Sequence, residues 1–490
     1  MRPRRPTAQL VLLVLVAAGA AIRFSTLDLQ SFWVDEGITV HLLRMDFGGM
    51  FSSALDGEQT PPLYYVLAWL WTRPFGTGEA GLRSLSALVG TATIPLAWAI
   101  GRKLVSERVG LVAAGLVAFN PLLVWYSQEA RSYALLVLLA GLSILTFLRA
   151  LEQSSARNLA RWAVVSALAL CTHYFALFVV VPEALWLLLR TPDRRRAGIA
   201  VAGVAAIGAV LLPMAIHQAG NPGANFIGTT ALGERMLQLP KQYLVGYASP
   251  AAVLFTMLAA IVAAGAVWFV LTRTDPHERG AARSAALLLA CAAGVPLVLA
   301  VAGADYLVTR NAIAGLLPFV LLLAIGLGAR RAGWVGLAAA AVLCGLGLSA
   351  VVSVDARPEF QRDDWRGVAR VLGSTNEPRG VVVSPAKGQT PLAVYVGGLN
   401  PFPGRPYLLS EIDLIGVAIH RPGQEPRPPR PVAPAHPPDF TVVYRRYAPT
   451  YTFIRLRAPQ AVPVDAAILA SLRLAPGIAA TLLQSPAPPP

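Results

Sequence analysis

Apolar residues in this chain run in long blocks rather than in alternation. The first is residues 8–22, AQLVLLVLVAAGAAI, behind MRPRRP. Others fall at 82–101, 108–125, 132–148, 162–190, 198–216, 250–272, 284–301, 312–328 and 331–351. A helix needs about 20 apolar residues to cross the hydrocarbon core of a bilayer. The pattern therefore predicts a polytopic α-helical membrane protein. The first block has the basic start of a signal peptide but no clear cleavage site. It reads as an uncleaved first helix.

Two blocks need a decision. Segment 61–74, PPLYYVLAWLWTRP, is too short to cross, is aromatic and begins with two prolines. It reads as a helix at the outer interface. Block 162–190 is flanked by Arg157 and Arg161 on one side and by Arg190, Arg194, Arg195 and Arg196 on the other. Both ends belong in the cytoplasm under the positive-inside rule, so the chain crosses twice with a turn near 171–174. Loops 101–108, 149–161, 190–196, 273–283 and 328–331, all basic, then lie inside. About 11 transmembrane helices result. The N-terminus is cytoplasmic, and loops 28–80, 125–131, 217–249 and 302–311 are external.

Beyond residue 351 the pattern changes. Helices are expected in DDWRGVARVL and QTPLAVYVGG, and strands in GVVVSP, FTVVYRR and TYTFIRLR. A Pro-rich loop, RPGQEPRPPRPVAPAHPPD, interrupts them. Residues 1–351 thus form a membrane domain and 352–480 a small extracytoplasmic α/β domain. Residues 481–490 form a Pro-rich disordered tail.

Charged types make up 14% of the chain, against about 25% in soluble proteins. A soluble protein so poor in charge could not cover its surface. The net charge of +15 sits mostly in clusters between apolar blocks, which fits a membrane rather than nucleic acid. Cys171, Cys291 and Cys344 lie in apolar stretches without a CxxC pair and read as packing residues.

Candidate chemistry concentrates in the external loops. Asp35 and Glu36 are adjacent in FWVDEG. Neighbouring side chains do not share a helix face, so one carboxylate can face a substrate while the other caps the following helix. A capping, solvated pair is the bland alternative. Gln128, Glu129, Arg131 and Tyr133 crowd the outer end of a span. An arginine there suits a phosphate, which it grips with two donors, or a helix-end salt bridge. Arg310 is a second phosphate candidate, with Arg235 and Lys241 behind it. Glu58, Tyr64, Tyr133, His173, Tyr174 and Asp305 are candidates for the wall of a substrate vestibule. His41 near the acidic pair makes only a weak metal set, which leaves room for a loosely held divalent cation and no firm cofactor. No Walker A, GxGxxG or GxSxG pattern is present. A nucleotide sugar would sit on the wrong side of the membrane from these loops, whereas a lipid-phosphate donor would not.

The segments FWVDEG, QTPPLYY, GLRSLSALVGTATIPLAWAIGRKL, NPLLVWYSQEARSYAL, THYF, RNAIAGLLPFVLLLAIGL and FQRDDWRGVARVL occur in this order. Together they resemble the polyprenyl-phosphate-mannose-protein mannosyltransferase superfamily, which includes the bacterial lipid A aminoarabinose transferases. The resemblance covers most of residues 1–370. It implies a GT-C fold and an inverting transfer of sugar from a polyprenyl-phosphate lipid to an extracytoplasmic hydroxyl on lipid, envelope glycan or protein. It implies Asp35 as general base, with Glu36 beside it, Glu129 as the second-loop acid, and Arg131 and Arg310 on the donor phosphate. Histidine often precedes the proline pair in that superfamily, but here Gln59 and Thr60 stand there. A bacterial plasma membrane is the expected location. A transporter or a non-enzymatic envelope-assembly protein is the competing reading. The former would carry charges at mid-membrane and an inverted repeat, and neither is seen.

Overall fold

The computed structural model describes residues 6–220, 227–417, 434–475 and 477–486. Most of the expected Pro-rich loop and the end of the expected tail lie outside the described residues. The chain divides into two compact units, Met1–Leu27 with Met45–Ser353 and Asp28–Arg44 with Val354–Pro490.

Through residue 219 the helices are α1 (Pro6–Phe24), α2 (Val34–Leu43), α3 (Phe47–Gly57), α4 (Leu63–Phe75), α5 (Glu79–Leu104), α6 (Glu107–Phe119), α7 (Pro121–Ser127), α8 (Tyr133–Glu152), α9 (Ala156–Thr172), α10 (Leu177–Arg190) and α11 (Arg194–Ala219). There follow α12 (Leu232–Val245), α13 (Ala252–Thr272), α14 (Pro276–Leu289), α15 (Val295–Val301), α16 (Leu316–Gly328) and α17 (Gly333–Ala356). All but α2 belong to the first unit or end at its boundary.

The expectation of about 11 crossings is corrected. Among the described residues, seven helices are long and apolar enough to cross a membrane, or eight if α6 and α7 count as one bent span. Breaks in the helices explain the difference. Block 162–190 holds α9 and α10, of 17 and 14 residues, about 26 and 21 Å long against a core of about 30 Å. Ile313–Gly328 is shorter than a full span too.

The bend between α6 and α7 is 59°. Asn120 and Pro121 make it. Pro121 cannot continue the ladder, and Asn120 Oδ1 accepts the Leu123 N–H at 3.0 Å to start the new helix. The break frees carbonyls at the end of α6. Arg23 of α1, fully buried, donates to Ala118 O at 2.9 Å, to Val117 O at 3.0 Å and to Ser127 Oγ at 3.1 Å. Buried backbone groups in a membrane need such partners. Close helix approaches rest on small residues: a Cβ on Gly326 would lie 2.1 Å from Ala266 O.

The second unit is built on six strands: β1 (Arg379–Ser384), β2 (Leu399–Pro401), β3 (Tyr407–Val417), β4 (Thr441–Tyr447), β5 (Tyr451–Val464) and β6 (Ala480–Gln484). Their order is β2-β6-β1-β3-β5-β4, with β1 parallel to β3 and the other pairs antiparallel. The helices are α18 (Trp365–Leu372), α19 (Gln389–Tyr395) and α20 (Ala466–Ser471). Val381 and Val383 pack under Trp365, Val368 and Leu392. Val382 faces the other way, with Leu414, Leu456 and Leu469. Burial on both faces explains the unbroken valine run of β1. Arg379 and Arg455 neutralise Glu411 and Asp413 inside β3, with Arg455 Nε 2.8 Å from Asp413 Oδ1.

Two features differ from the expected boundaries. Residues 28–44 of the first loop pack with the C-terminal unit, where a Cβ on Gly37 of α2 would meet Pro391 of α19 at 3.1 Å. Strand β6 takes up residues read from sequence as tail.

Candidate functional site

In the first unit the chain leaving α7 makes a compact turn over residues 128–132, with the Arg131 N–H on Glu129 O at 2.9 Å. Gln128 pins this turn by donating to Thr26 Oγ1 at 2.8 Å and Ile22 O at 3.1 Å. Arg131 then reaches Glu58, at the C-terminal end of α3. Its two terminal nitrogens donate to Oε1 at 3.2 Å and to Oε2 at 2.9 Å. Both side chains are buried, so this is a fork-to-fork ion pair in a low-dielectric setting. The Tyr65 ring lies 5.8 Å from the guanidinium carbon, and Tyr64 packs edge-on to Tyr65. Burial pushes the Tyr65 phenol well above its usual range, opposed by the Arg131 charge.

A run of aromatic rings extends from the same turn. Tyr126 and Tyr247 share a hydroxyl–hydroxyl hydrogen bond. Tyr126 lies 4.8 Å from Tyr133, and Tyr133 lies 5.9 Å from His173. Glu129, fully buried, is near enough to raise the Tyr247 phenol, though burial is the larger cause. His173 ends α9 and starts the turn into α10. Its Nδ1 accepts the Phe175 N–H at 3.2 Å. Burial pushes its pKa down to about 3, helped by the charges of Arg131 and Arg310. Thus Arg131, Arg310, Tyr133, His173, Glu58 and Tyr64 belong to one neighbourhood.

Other expected wall residues are engaged elsewhere. Asp305 holds Arg235 in a two-pronged pair at 2.8 and 2.5 Å, which keeps its carboxyl below the usual range. Arg235 also donates to Leu307 O and Thr230 O. Tyr174 donates to Gln218 Oε1 at 2.9 Å, and Gln218 donates to Leu55 O at 2.8 Å. Burial lowers the Lys241 pKa. Tyr65, Tyr126 and Tyr247 did not stand out in the sequence. The doubled tyrosine of PPLYY was the only signal.

In the second unit, Asp35 and Glu36 open α2. Glu36 is fully buried and takes the Trp33 N–H on Oε2 at 3.4 Å, closing the helix start. Asp35 is partly exposed. The approach to α2 is fastened by Ser31, which donates to Asp363 O at 2.7 Å and accepts from Trp365 N–H at 2.9 Å. The Phe32 N–H donates to Tyr395 OH at 2.7 Å. Among the described residues no group of three or more His, Cys, Asp or Glu side chains is placed to hold a metal ion.

Long apolar helices with short, broken ones among them and a small β-rich C-terminal unit make up a polytopic membrane fold. It is shared with ArnT from Cupriavidus metallidurans bound to undecaprenyl phosphate: TM-score 0.52 at 13% identity, over 92% of this chain and 98% of that one. At that identity the likeness is one of fold. The oligosaccharyltransferase of Archaeoglobus fulgidus, in complex with Zn and sulfate, aligns with TM-score 0.45 at 13% identity over 74% of this chain. This chain spans 55% of that protein's length. The Pmt1–Pmt2 protein O-mannosyltransferase complex of S. cerevisiae, bound to the sugar donor, aligns with TM-score 0.34 at 19% identity, over 44% of this chain and 33% of that one. Residues 59–217 match the dolichyl-phosphate-mannose-protein mannosyltransferase family model, which is less than half of the chain. No curated protein matches the sequence.

Proposed function

We propose that this protein is an inverting glycosyltransferase of the bacterial plasma membrane, moving a sugar from a polyprenyl-phosphate donor to an extracytoplasmic acceptor hydroxyl. One observation carries the reading. Arg131, buried and forked onto Glu58, stands at the head of a run of buried rings, Tyr126, Tyr133 and His173, that ends at the junction of two short helices. Such a place suits a phosphate whose lipid tail must leave sideways. Arginine meets phosphate with paired donors, and fixed positive charge stabilises the negative charge that builds on a departing phosphate.

In this reading Asp35 takes the proton of the acceptor hydroxyl. The acceptor oxygen attacks the anomeric carbon from the face opposite the phosphate. The carbon–oxygen bond to phosphate breaks, and its electron pair leaves on the phosphate, beside Arg131 and Arg310. Glu129 serves as the second acidic group, orienting Arg131 or the acceptor. The partly exposed setting of Asp35 supports this division of labour, because Glu36 is already committed to the helix start. The N-terminus lies in the cytoplasm and the C-terminal unit outside.

The test is release of polyprenyl phosphate from a panel of labelled polyprenyl-phosphate sugars by purified protein in lipid, with envelope fractions as acceptors. Wild type is expected to transfer sugar and R131A to lose transfer. Envelope function that survives loss of Asp35 and Arg131 together would point instead to a transporter or an assembly protein.

A further inference from the structure

His173 does two things with one side chain, and only one of them needs a histidine. Its backbone closes α9, with the His173 N–H on Ala169 O at 3.1 Å, and opens the next turn, with the Ala176 N–H on His173 O at 3.0 Å. Its Nδ1 caps that turn by accepting the Phe175 N–H. Asn, Asp or Ser would cap as well or better. A backbone N–H can only donate, so Nδ1 carries no proton and the ring proton sits on Nε2. Protonating Nδ1 would set two hydrogens face to face and break the cap. His173 is 3% exposed, and among the described residues the hydrogen bond its ring makes is the one at Nδ1. Tyr133 and Phe175 hold the ring at 5.9 and 5.4 Å. The charges that reach it come from Arg131 and Arg310.

We infer that His173 is a phosphate-binding residue, a tautomer-locked neutral imidazole whose Nε2–H donates to a non-bridging oxygen of the lipid monophosphate held by Arg131 and Arg310. This rests on the polyprenyl-phosphate reading above and names a further donor to the same group. His173 neither takes nor gives a proton during transfer. It supplies a directed hydrogen bond without a third positive charge, so the product phosphate is held and still released.

Two substitutions separate the roles. H173N keeps a capping acceptor but is too short to place a donor at Nε2. H173Q places an amide N–H near Nε2 but gives up the cap. Affinity for undecaprenyl phosphate would be measured in nanodiscs against the neutral alcohol undecaprenol, alongside thermal unfolding. H173N is expected to unfold like wild type yet bind the phosphate about tenfold more weakly, with undecaprenol binding unchanged. H173Q is expected to be less stable but to keep most of the phosphate affinity. Nitrogen-15 spectra of histidine-labelled protein should show one Nε2–H tautomer from pH 5.5 to 8, a signal missing in H173N. If wild type does not prefer the phosphate over the alcohol, the donor reading itself fails. If wild type prefers it and H173N binds equally well, or if the signal titrates in that range, the role of His173 alone is overturned.

Discussion

Arg131 and Glu58 lie 73 residues apart in sequence and meet in a two-pronged ion pair of 3.2 and 2.9 Å, both side chains buried. Removing one partner of such a pair leaves the other charged and out of water, at a cost of about 3 kcal/mol or more. E58Q and R131Q should each lower the unfolding temperature of the purified protein. The double variant should be more stable than the two losses added together, because neither charge is then stranded. Donor-phosphate binding separates the partners further: E58Q should retain it, and both variants lacking Arg131 should not. Additive losses would mean that the two groups are not coupled.

Asp35 and Glu36 should separate cleanly. Glu36 is fully buried and accepts the Trp33 N–H, so E36A should cost about 1 kcal/mol of stability, recovered in E36Q. D35N should leave unfolding unchanged and lower the transfer rate by about a hundredfold or more, as expected on losing a general base. Full transfer by D35N would move the role of base to Glu36.

Arg23 binds carbonyls that the bend between α6 and α7 leaves open. R23M should destabilise the membrane unit by about 2–4 kcal/mol, because the Val117 and Ala118 carbonyls lose a donor in a water-free place. R23K should recover only part of this, since one ammonium cannot reproduce a fork that also reaches Ser127. Thermal unfolding in detergent reads the difference, and equal stability of R23M and wild type would mean that water enters the bend.

The membrane character of the chain was legible because long apolar runs have no other use. The number of crossings was not, because a hydropathy window passes over the break at Asn120–Pro121 and does not show that α9, α10 and α16 are shorter than a full span. Arg131 and His173 could be picked out from their positions at helix ends. Glu58 could be placed near the site, but its pairing with Arg131 depends on a contact across 73 residues. Likewise, nothing local says that 28–44 packs with α19. Strand β3 was missed because YLLSEIDLIGV carries two acids, and their partners Arg379 and Arg455 lie on other strands.

Asp363 gives the second unit a pH dependence whose sign can be worked out. It precedes α18, beside the Ser31 contact that fastens the approach to α2. Burial pushes its carboxyl up to about 8, against about 3.9 in an unfolded chain. Between those values the folded unit holds a proton that the unfolded chain has released, so stability falls as pH rises. The contribution is fully present below about pH 4 and lost as pH climbs through 8. Hydrogen exchange over residues 354–372, corrected for intrinsic rate, should show weaker protection at pH 8 than at pH 5.5. D363N carries no proton to lose, so it should remove most of this difference and be the better protected variant at pH 8. Equal protection of wild type at both pH values would mean that the carboxylate is already ionised and stabilised in place, and D363N would then be the less stable protein.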